Sequence, residues 1–151
     1  MKRRDFLVMG AVARLAGAPA LAAQTSPVVE VFKNPYCSCC EGWVEHLKGA
    51  GFPVKVTVVD DTAPVRKRYG IPEKLGSCHT GVVAGYALEG HVPAADIKRL
   101  LATKPAAVGL AVPGMPVGSP GMEAGARKDP FDVLLVDKSG GSRVYASYNK
   151  S

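Results

Sequence analysis

Short apolar runs alternate with helical patterns along most of this chain. The run 28–32 is rich in β-branched residues, which is typical of a buried strand. Trp43, Val44 and Leu47 then recur with the spacing of one helix face. The alternating segment 54–59 predicts a second strand. The chain is therefore predicted to begin its folded part as strand, helix and strand.

The later segments continue this order. The pattern predicts a short helix that ends before Gly70, a hairpin of 81–84 and 86–89, a helix over 94–102, a Gly- and Pro-rich loop over 105–127, and a C-terminal hairpin of 131–136 and 142–148. The basic cluster 66–68 is expected on a solvated helix face. No repeat and no second domain is visible. This order of elements is that of a thioredoxin-like α/β fold, a single domain with a mixed sheet and flanking helices.

Three of the four cysteines lie in the turn between the first strand and the first helix. Cys37, Cys39 and Cys40 are expected at or near the helix N-terminus. Free backbone N–H groups and the helix dipole favour the thiolate over the thiol there. Because thiolates bind metals and carry out redox chemistry, the cluster indicates metal or redox use.

The first 22 residues have the pattern of an export signal. The segment 3–7 resembles the twin-arginine motif, small and apolar residues follow, and 20–22 provide an A-x-A cleavage signal. We therefore expect cleavage near Ala22, a mature domain over 23–151, and a periplasmic location.

Charge adds little evidence for a polyanionic partner. The first 22 residues carry four cations and one anion, so that their removal lowers the formal net charge from +6 to +3. No basic run with interleaved aromatic residues remains, which argues against nucleic acid. No stable membrane span is expected in the mature chain.

An exported chain with four cysteines would usually form two disulfides. The Cα atoms of adjacent Cys39 and Cys40 are only about 3.8 Å apart, which is too close for a bridge. Two connectivities remain open. One needs a strained bridge between Cys37 and Cys39, and the other pairs Cys37 with Cys40 as a C-x-x-C redox motif and Cys39 with Cys78. Three thiols in one turn suit a soft cation better than they suit structural bridges.

A second cysteine motif, 77–80, precedes a predicted core strand and is the expected partner of the cysteine turn. Cys78 is a soft ligand and His79 a borderline one, so that together with the three earlier cysteines they suit Cu(I) or Zn(II). Four thiolates carry four negative charges, of which one Zn(II) offsets two. Several sulfur-bridged Cu(I) ions can offset all four, and charge balance therefore favours a multinuclear copper site.

Single residues of these motifs also have structural interpretations. Cys78 can be a small buried core residue, and His79 a satisfied polar one. His46 is expected on a helix face or behind the ligands, and His91 has support of the ligands as its best functional interpretation. Two further candidates, which offer thioethers to copper or fill gaps in the loop, are Met115 and Met122.

Several motifs occur in an order that matches a known family. They are Tyr36-Cys37-Ser38-Cys39-Cys40 with Trp43 and His46-Leu47, Ser77-Cys78-His79-Thr80, Glu89-Gly90-His91-Val92-Pro93, Asp96-Ile97, 109–116 and 118–123. Across nearly the whole of 23–151 the chain resembles the CopG-type bacterial copper-resistance proteins, long catalogued only as a domain of unknown function. The resemblance implies a thioredoxin-like, exported copper-binding protein.

The resemblance also implies a ligand set. In that family the C-x-C-C cysteines and the later Cys-His are associated with a cysteine-bridged copper cluster. By resemblance Cys37, Cys39, Cys40, Cys78 and His79 would hold copper here. It further implies interconversion of Cu(I) and Cu(II) rather than simple storage.

Three functions stay open at this point. The first is a periplasmic protein for copper resistance, which holds Cu(I), exchanges it with other copper-handling proteins, and has copper redox activity as a hypothesis. The second is a thiol–disulfide oxidoreductase that uses Cys37 and Cys40, although the thiol of Cys39 would compete in exchange. A structural zinc site ranks last, because its ligand pairs usually lie on separate knuckles.

Overall fold

Three helices and seven strands make up residues 25–151, which are the residues that this computed structural model describes. The predicted export signal over 1–22 lies outside the described residues. In chain order the elements are β1 (Val29–Lys33), α1 (Ser38–Gly49), β2 (Val54–Val58), α2 (Ala63–Tyr69), a 3-10 turn (Glu73–Leu75), β3 (His79–Val83), β4 (Tyr86–Gly90), α3 (Ala94–Thr103), β5 (Gly109–Val112), β6 (Phe131–Val136) and β7 (Ser142–Tyr148). Within 25–151, no helix is long and apolar enough to cross a lipid bilayer.

The seven strands form one mixed sheet in the order β2-β1-β3-β4-β5-β6-β7. The pairs β1–β2 and β4–β5 are parallel, and α1 and α3 make the two crossovers between them. The other four pairs are antiparallel. This is a mixed α/β domain consistent with the thioredoxin-like fold, and the predicted fold class is confirmed.

An apolar cluster covers each face of the sheet. Ala87 and Leu88 of β4 belong to opposite clusters, as do Leu110 and Ala111 of β5, because successive side chains of a strand point to opposite faces. The larger cluster lies under α1 and α3 and includes Val31, Trp43, Leu47, Leu88, Ile97, Leu100 and Leu110. The smaller lies under the segment around α2 and includes Ile71, Leu75, Ala87, Ala111 and Val136. Burial on both faces holds the middle strands in place.

Trp43 fixes α1 on the sheet. Its side chain is fully buried, and its indole N–H donates to the carbonyl oxygen of Val92 at 2.8 Å. Its ring lies against the imidazole of His79, with ring centroids 4.5 Å apart. Gly81 leaves the space for this ring, since a Cβ there would lie 2.9 Å from Cη2 of Trp43. One side chain thus joins the first helix to β3 and to the turn before α3.

The predicted loop over 105–127 is wrong in its first part. Residues Gly109–Val112 form β5, a fully buried strand between β4 and β6. Four consecutive apolar residues show neither a period of two nor a helical period, so that the pattern conceals a strand buried on both faces. Only a glycine fits at position 109, because a Cβ there would lie 1.8 Å from the carbonyl oxygen of Ala87.

The predicted solvated face over 66–68 is wrong at Arg66. Arg66 is only 7% exposed. The guanidinium donates to Thr62 Oγ1 at 3.0 Å and to the exposed carboxylate of Glu73 at 3.1 Å, and it also approaches Glu89. The sequence pattern does not separate Arg66 from its two basic neighbours, because its acidic partners Glu73 and Glu89 lie later in the chain.

The packing of Trp43 against Gly81 gives a stability prediction. We expect Gly81→Ala to lower the free energy of unfolding by about 1–3 kcal/mol, because the added methyl overpacks the site where the indole ring lies. Urea unfolding of the metal-free protein, followed by tryptophan fluorescence, measures this change. Gly49→Ala is the matched control, since a Cβ at that helical position meets nothing within 4 Å. Equal stability of the two variants would contradict this packing.

Candidate metal centre

The N-terminus of α1 carries three of the four cysteines, as the sequence predicts. Cys37 is the N-cap residue, and Cys39 and Cys40 lie in the first turn. A disulfide joins Cys37 to Cys40, whereas Cys39 and Cys78 are free thiols. The structure thus contains the Cys37–Cys40 bridge of the C-x-x-C connectivity, but not the bridge between Cys39 and Cys78 that would accompany it.

The fourth cysteine meets this turn through strand pairing. β3 runs antiparallel to β1 with His79 opposite Lys33, so that Cys78 arrives at the end of β1 where α1 begins. The Sγ of Cys39 lies 3.6 Å from the Sγ of Cys78 and 3.3 Å from that of Cys37. All four sulfur atoms lie within 4.8 Å of one another. The expected approach of the two cysteine motifs is therefore present.

Two buried imidazoles lie beside Cys78. Nε2–H of His79 donates to the carbonyl oxygen of Gly90 at 2.8 Å, which leaves Nδ1 free 3.3 Å from the Sγ of Cys78. Nδ1–H of His91 donates to the carbonyl oxygen of Pro120 at 2.8 Å, which leaves Nε2 free 3.7 Å from the same sulfur. Because a carbonyl only accepts hydrogen bonds, each partner fixes the tautomer. The free nitrogen of each ring therefore has its lone pair available on the side of the sulfur.

His91 is the residue of the site that the sequence interpretation underrated. The sequence predicts that it supports the ligands, whereas its Nε2 lies among the candidate ligand atoms. The register of the predicted hairpin indicates the position of His91. β3 and β4 pair Thr80 with Glu89, and continuing this register by two residues sets Cys78 opposite His91.

The other candidates lie elsewhere or remain predictions. His46 Nε2 accepts from the backbone N–H of Ala94 at 3.0 Å, so that it caps the N-terminus of α3. Met115 and Met122 lie on the loop between β5 and β6, where Met115 is 41% exposed. The same loop reaches the site through Pro120 and packs tightly on α1, since a Cβ at Gly121 would lie 2.5 Å from the backbone nitrogen of Trp43.

Burial sets the protonation of the metal-free site. It lowers the pKa of His79 to about 3, helped by neighbouring His91, and it also lowers the pKa of His91 itself. Burial and the adjacent Cys39 raise the pKa of Cys78 to about 12. At neutral pH both imidazoles are therefore neutral and ready to coordinate, whereas an incoming ion must displace the thiol proton of Cys78.

A buried ion pair on the opposite face of the sheet holds the segment that carries Cys78 and His79. Glu89 is fully buried, and its Oε1 accepts from the backbone N–H and the hydroxyl of Ser77 at 2.6 and 2.8 Å. Its Oε2 accepts from the hydroxyl of Thr80 at 2.6 Å. Arg66 lies 3.5 Å from Oε1 and donates to the Ser77 carbonyl at 3.3 Å. Glu89 thus fixes Ser77 and Thr80, the residues immediately before Cys78 and immediately after His79.

The arrangement offers two sets of metal ligands that share one sulfur. One set consists of the four cysteines, and the other of Cys78, His79 and His91. Sulfur alone favours soft ions such as Cu(I), whereas a mixed sulfur and nitrogen set suits borderline divalent ions. Fold and site together define a thioredoxin-like α/β protein with a cysteine-rich centre at the start of its first helix that can bind metal.

Comparisons with known proteins agree with this class. Residues 75–122 match the family described as "Protein of unknown function, DUF411". The chain is 47% identical to a solved copper resistance protein CopG (form 2), with a TM-score of 0.78, and the match covers 82% of this chain and 98% of that one. Form 1 of the same protein is 46% identical with a TM-score of 0.78, over 83% of this chain and 99% of that one. A comparison with curated proteins finds no match. The chain belongs to the CopG family of copper-resistance proteins, and the predicted resemblance is confirmed.

The buried ion pair gives a second stability prediction. We expect Glu89→Gln to lower the free energy of unfolding by about 3 kcal/mol, because the buried guanidinium of Arg66 keeps only the exposed carboxylate of Glu73 and the charge-assisted hydrogen bonds to Ser77 and Thr80 are lost. Glu73→Gln is the matched control. It removes the other carboxylate that contacts the same guanidinium, and the side chain of Glu73 is 80% exposed. The control is expected to cost less than about 1 kcal/mol. Chemical unfolding of both variants measures the difference, and a larger loss in Glu73→Gln would contradict it.

Proposed function

We propose that this protein protects against copper excess by holding Cu(I) with the sulfurs of Cys37, Cys39, Cys40 and Cys78, and with the imidazole of His79 beside them. The observation that carries the proposal is the convergence of every cysteine of the chain within 4.8 Å. Disulfides that staple a fold use their cysteines in pairs, whereas here two thiols remain free next to a single bridge. Family membership supports copper as the ion.

The donor chemistry supports Cu(I) and more than one ion. Thiolates are soft ligands that favour Cu(I) over harder cations. When all four ionise, sulfur-bridged Cu(I) ions can compensate the four negative charges, which a single Zn(II) only halves. All four can ligate only after the Cys37–Cys40 bridge accepts two electrons.

The same bridge supports a copper redox activity. Two thiolates can each give one electron to a Cu(II) ion, which yields two Cu(I) ions and the disulfide between Cys37 and Cys40. The reverse transfer reduces the disulfide and returns two Cu(II) ions. The electron donor would thus be a pair of ligands within the site.

The proposal includes a periplasmic location. It rests on the twin-arginine-like segment and the A-x-A signal near Ala22, which leave 23–151 as the working domain. Other copper-handling proteins of that compartment would deliver copper to the site or accept it.

A thiol–disulfide oxidoreductase is the second candidate, and one observation favours it. The Cys37–Cys40 bridge stands at the N-terminus of α1, where the dipole stabilises a thiolate, and Cys37 is more exposed than the fully buried Cys40. Against it, the free thiol of Cys39 lies 3.3 Å from the Sγ of Cys37 and can intercept a mixed disulfide.

Anaerobic titration of the fully reduced protein with Cu(I) tests the proposed function. We expect several copper ions per chain by elemental analysis, with all four thiols protected from a thiol reagent. The double variant Cys37→Ser and Cys40→Ser should lose most of this copper, because half of the sulfur ligands are removed. Ser38→Ala, which changes the exposed residue between Cys37 and Cys39, is the matched control and should load fully.

Two results would count against the proposal. Full loading of the double variant would show that the cysteine turn does not hold the copper. Catalytic reduction of insulin by the metal-free protein, together with weak Cu(I) binding, would instead favour the oxidoreductase.

A further inference from the structure

The disulfide removes sulfur from only one of the two ligand sets. Cys37 and Cys40 are bonded to each other and cannot act as thiolates while the bridge stands. Cys78 is a free thiol, and the free nitrogens of His79 and His91 lie 3.3 and 3.7 Å from its Sγ. The disulfide form therefore keeps a complete Cys/His set at the same place.

We propose that the disulfide form of this protein binds one borderline divalent ion, of the class of Zn(II) and Co(II), through Cys78 Sγ, His79 Nδ1 and His91 Nε2. The inference rests on the proposed function in one respect, because Cys78 and His79 also belong to the proposed Cu(I) ligands. It adds a second class of ion and makes the state of the Cys37–Cys40 pair decide whether the four-sulfur set is available beside the Cys/His set.

The distances fit a tetrahedral ion. With a Zn–S bond of about 2.3 Å and a Zn–N bond of about 2.05 Å, tetrahedral angles place sulfur and nitrogen about 3.6 Å apart. The observed separations from the Cys78 sulfur, 3.3 Å to His79 and 3.7 Å to His91, lie on either side of that value. These two separations need to change by only a few tenths of an ångström, and the two nitrogens lie within 4.8 Å of each other.

Hydrogen bonding shows that a packing role alone does not satisfy these rings. Both imidazoles are fully buried, and in each the other nitrogen is already occupied by a backbone carbonyl. The two free nitrogens share the Cys78 sulfur as their neighbour, but one thiol has a single proton to donate. At most one of the two lone pairs is satisfied by that thiol, whereas an ion between the three atoms satisfies both.

The surroundings hold the ligands in place. The indole of Trp43 lies against the His79 ring, and the carbonyls of Gly90 and Pro120 fix the two tautomers, as second-sphere partners of metal-bound histidines do. Three protein ligands leave a fourth tetrahedral position for water or for one more protein ligand. The thiol of Cys39, 3.6 Å from the shared sulfur, is a fourth ligand that would bring the charge of the site to zero.

Titration of the disulfide form with Co(II) under anaerobic conditions tests the proposal. A free-thiol count of two first verifies the oxidised state. We expect one Co(II) per chain, sulfur-to-cobalt charge transfer in the near ultraviolet, the intense visible bands of tetrahedral Co(II), and displacement by Zn(II). His91→Gln should weaken binding by roughly tenfold or more, because it removes one of three protein ligands. His46→Gln is the matched control and should bind like the wild type, since that histidine caps α3.

Each outcome decides the matter. Absence of sulfur-to-cobalt charge transfer in the disulfide form, or equal Co(II) affinity of the wild type and His91→Gln, would overturn the inference. If His91→Gln does not fold, nitrogen NMR of the wild-type imidazoles replaces it, and the proposal then requires Zn(II) to shift Nδ1 of His79 and Nε2 of His91. Because these experiments use the disulfide form and no copper, their failure is separate from a failure of the Cu(I) titration of the reduced protein.

Discussion

The register of β3 in the sheet is the constraint on which the site depends. Pairing with β1 sets His79 opposite Lys33, and pairing with β4 sets Thr80 opposite Glu89. A slip of one residue would turn every side chain of β3 to the other face. The imidazole of His79 would then leave the cysteine turn, and Thr80 would leave Glu89. Two contacts hold β3 in this register from opposite faces of the sheet. They are the packing of Trp43 on Gly81 and the hydrogen bond from Thr80 to Glu89.

This double support explains why reactive groups can lie in a buried place without disturbing the fold. On one face the large apolar cluster surrounds the indole of Trp43 and keeps water from the imidazoles. On the other face Arg66 compensates the charge of Glu89, which anchors the segment before and after Cys78. A site of this kind offers ligands that are preset in orientation, so that once the Cys37–Cys40 disulfide is reduced an ion has chiefly the thiol protons to displace.

The sequence was informative where the signals are local and less so where they depend on distant partners. The spacing of three cysteines before an amphipathic helix was sufficient to predict the turn, and the later Cys-His motif to predict its partner. Burial of Arg66 was missed because Glu89 lies on another element, and β5 was missed because a strand covered on both faces has no alternation. His91 needed the register of the hairpin, not only its existence.

Copper resistance, the property that family membership supports, thus has a physical basis in how one turn and one hairpin bring sulfur and nitrogen ligands together. The central claim is that the four cysteines bind Cu(I) jointly. X-ray absorption of the reduced, copper-loaded protein tests it most directly. Our account predicts a first shell of sulfur around copper and a short copper–copper vector, both lost in the double variant Cys37→Ser and Cys40→Ser. A first shell of nitrogen or oxygen alone, without a copper neighbour, would contradict it.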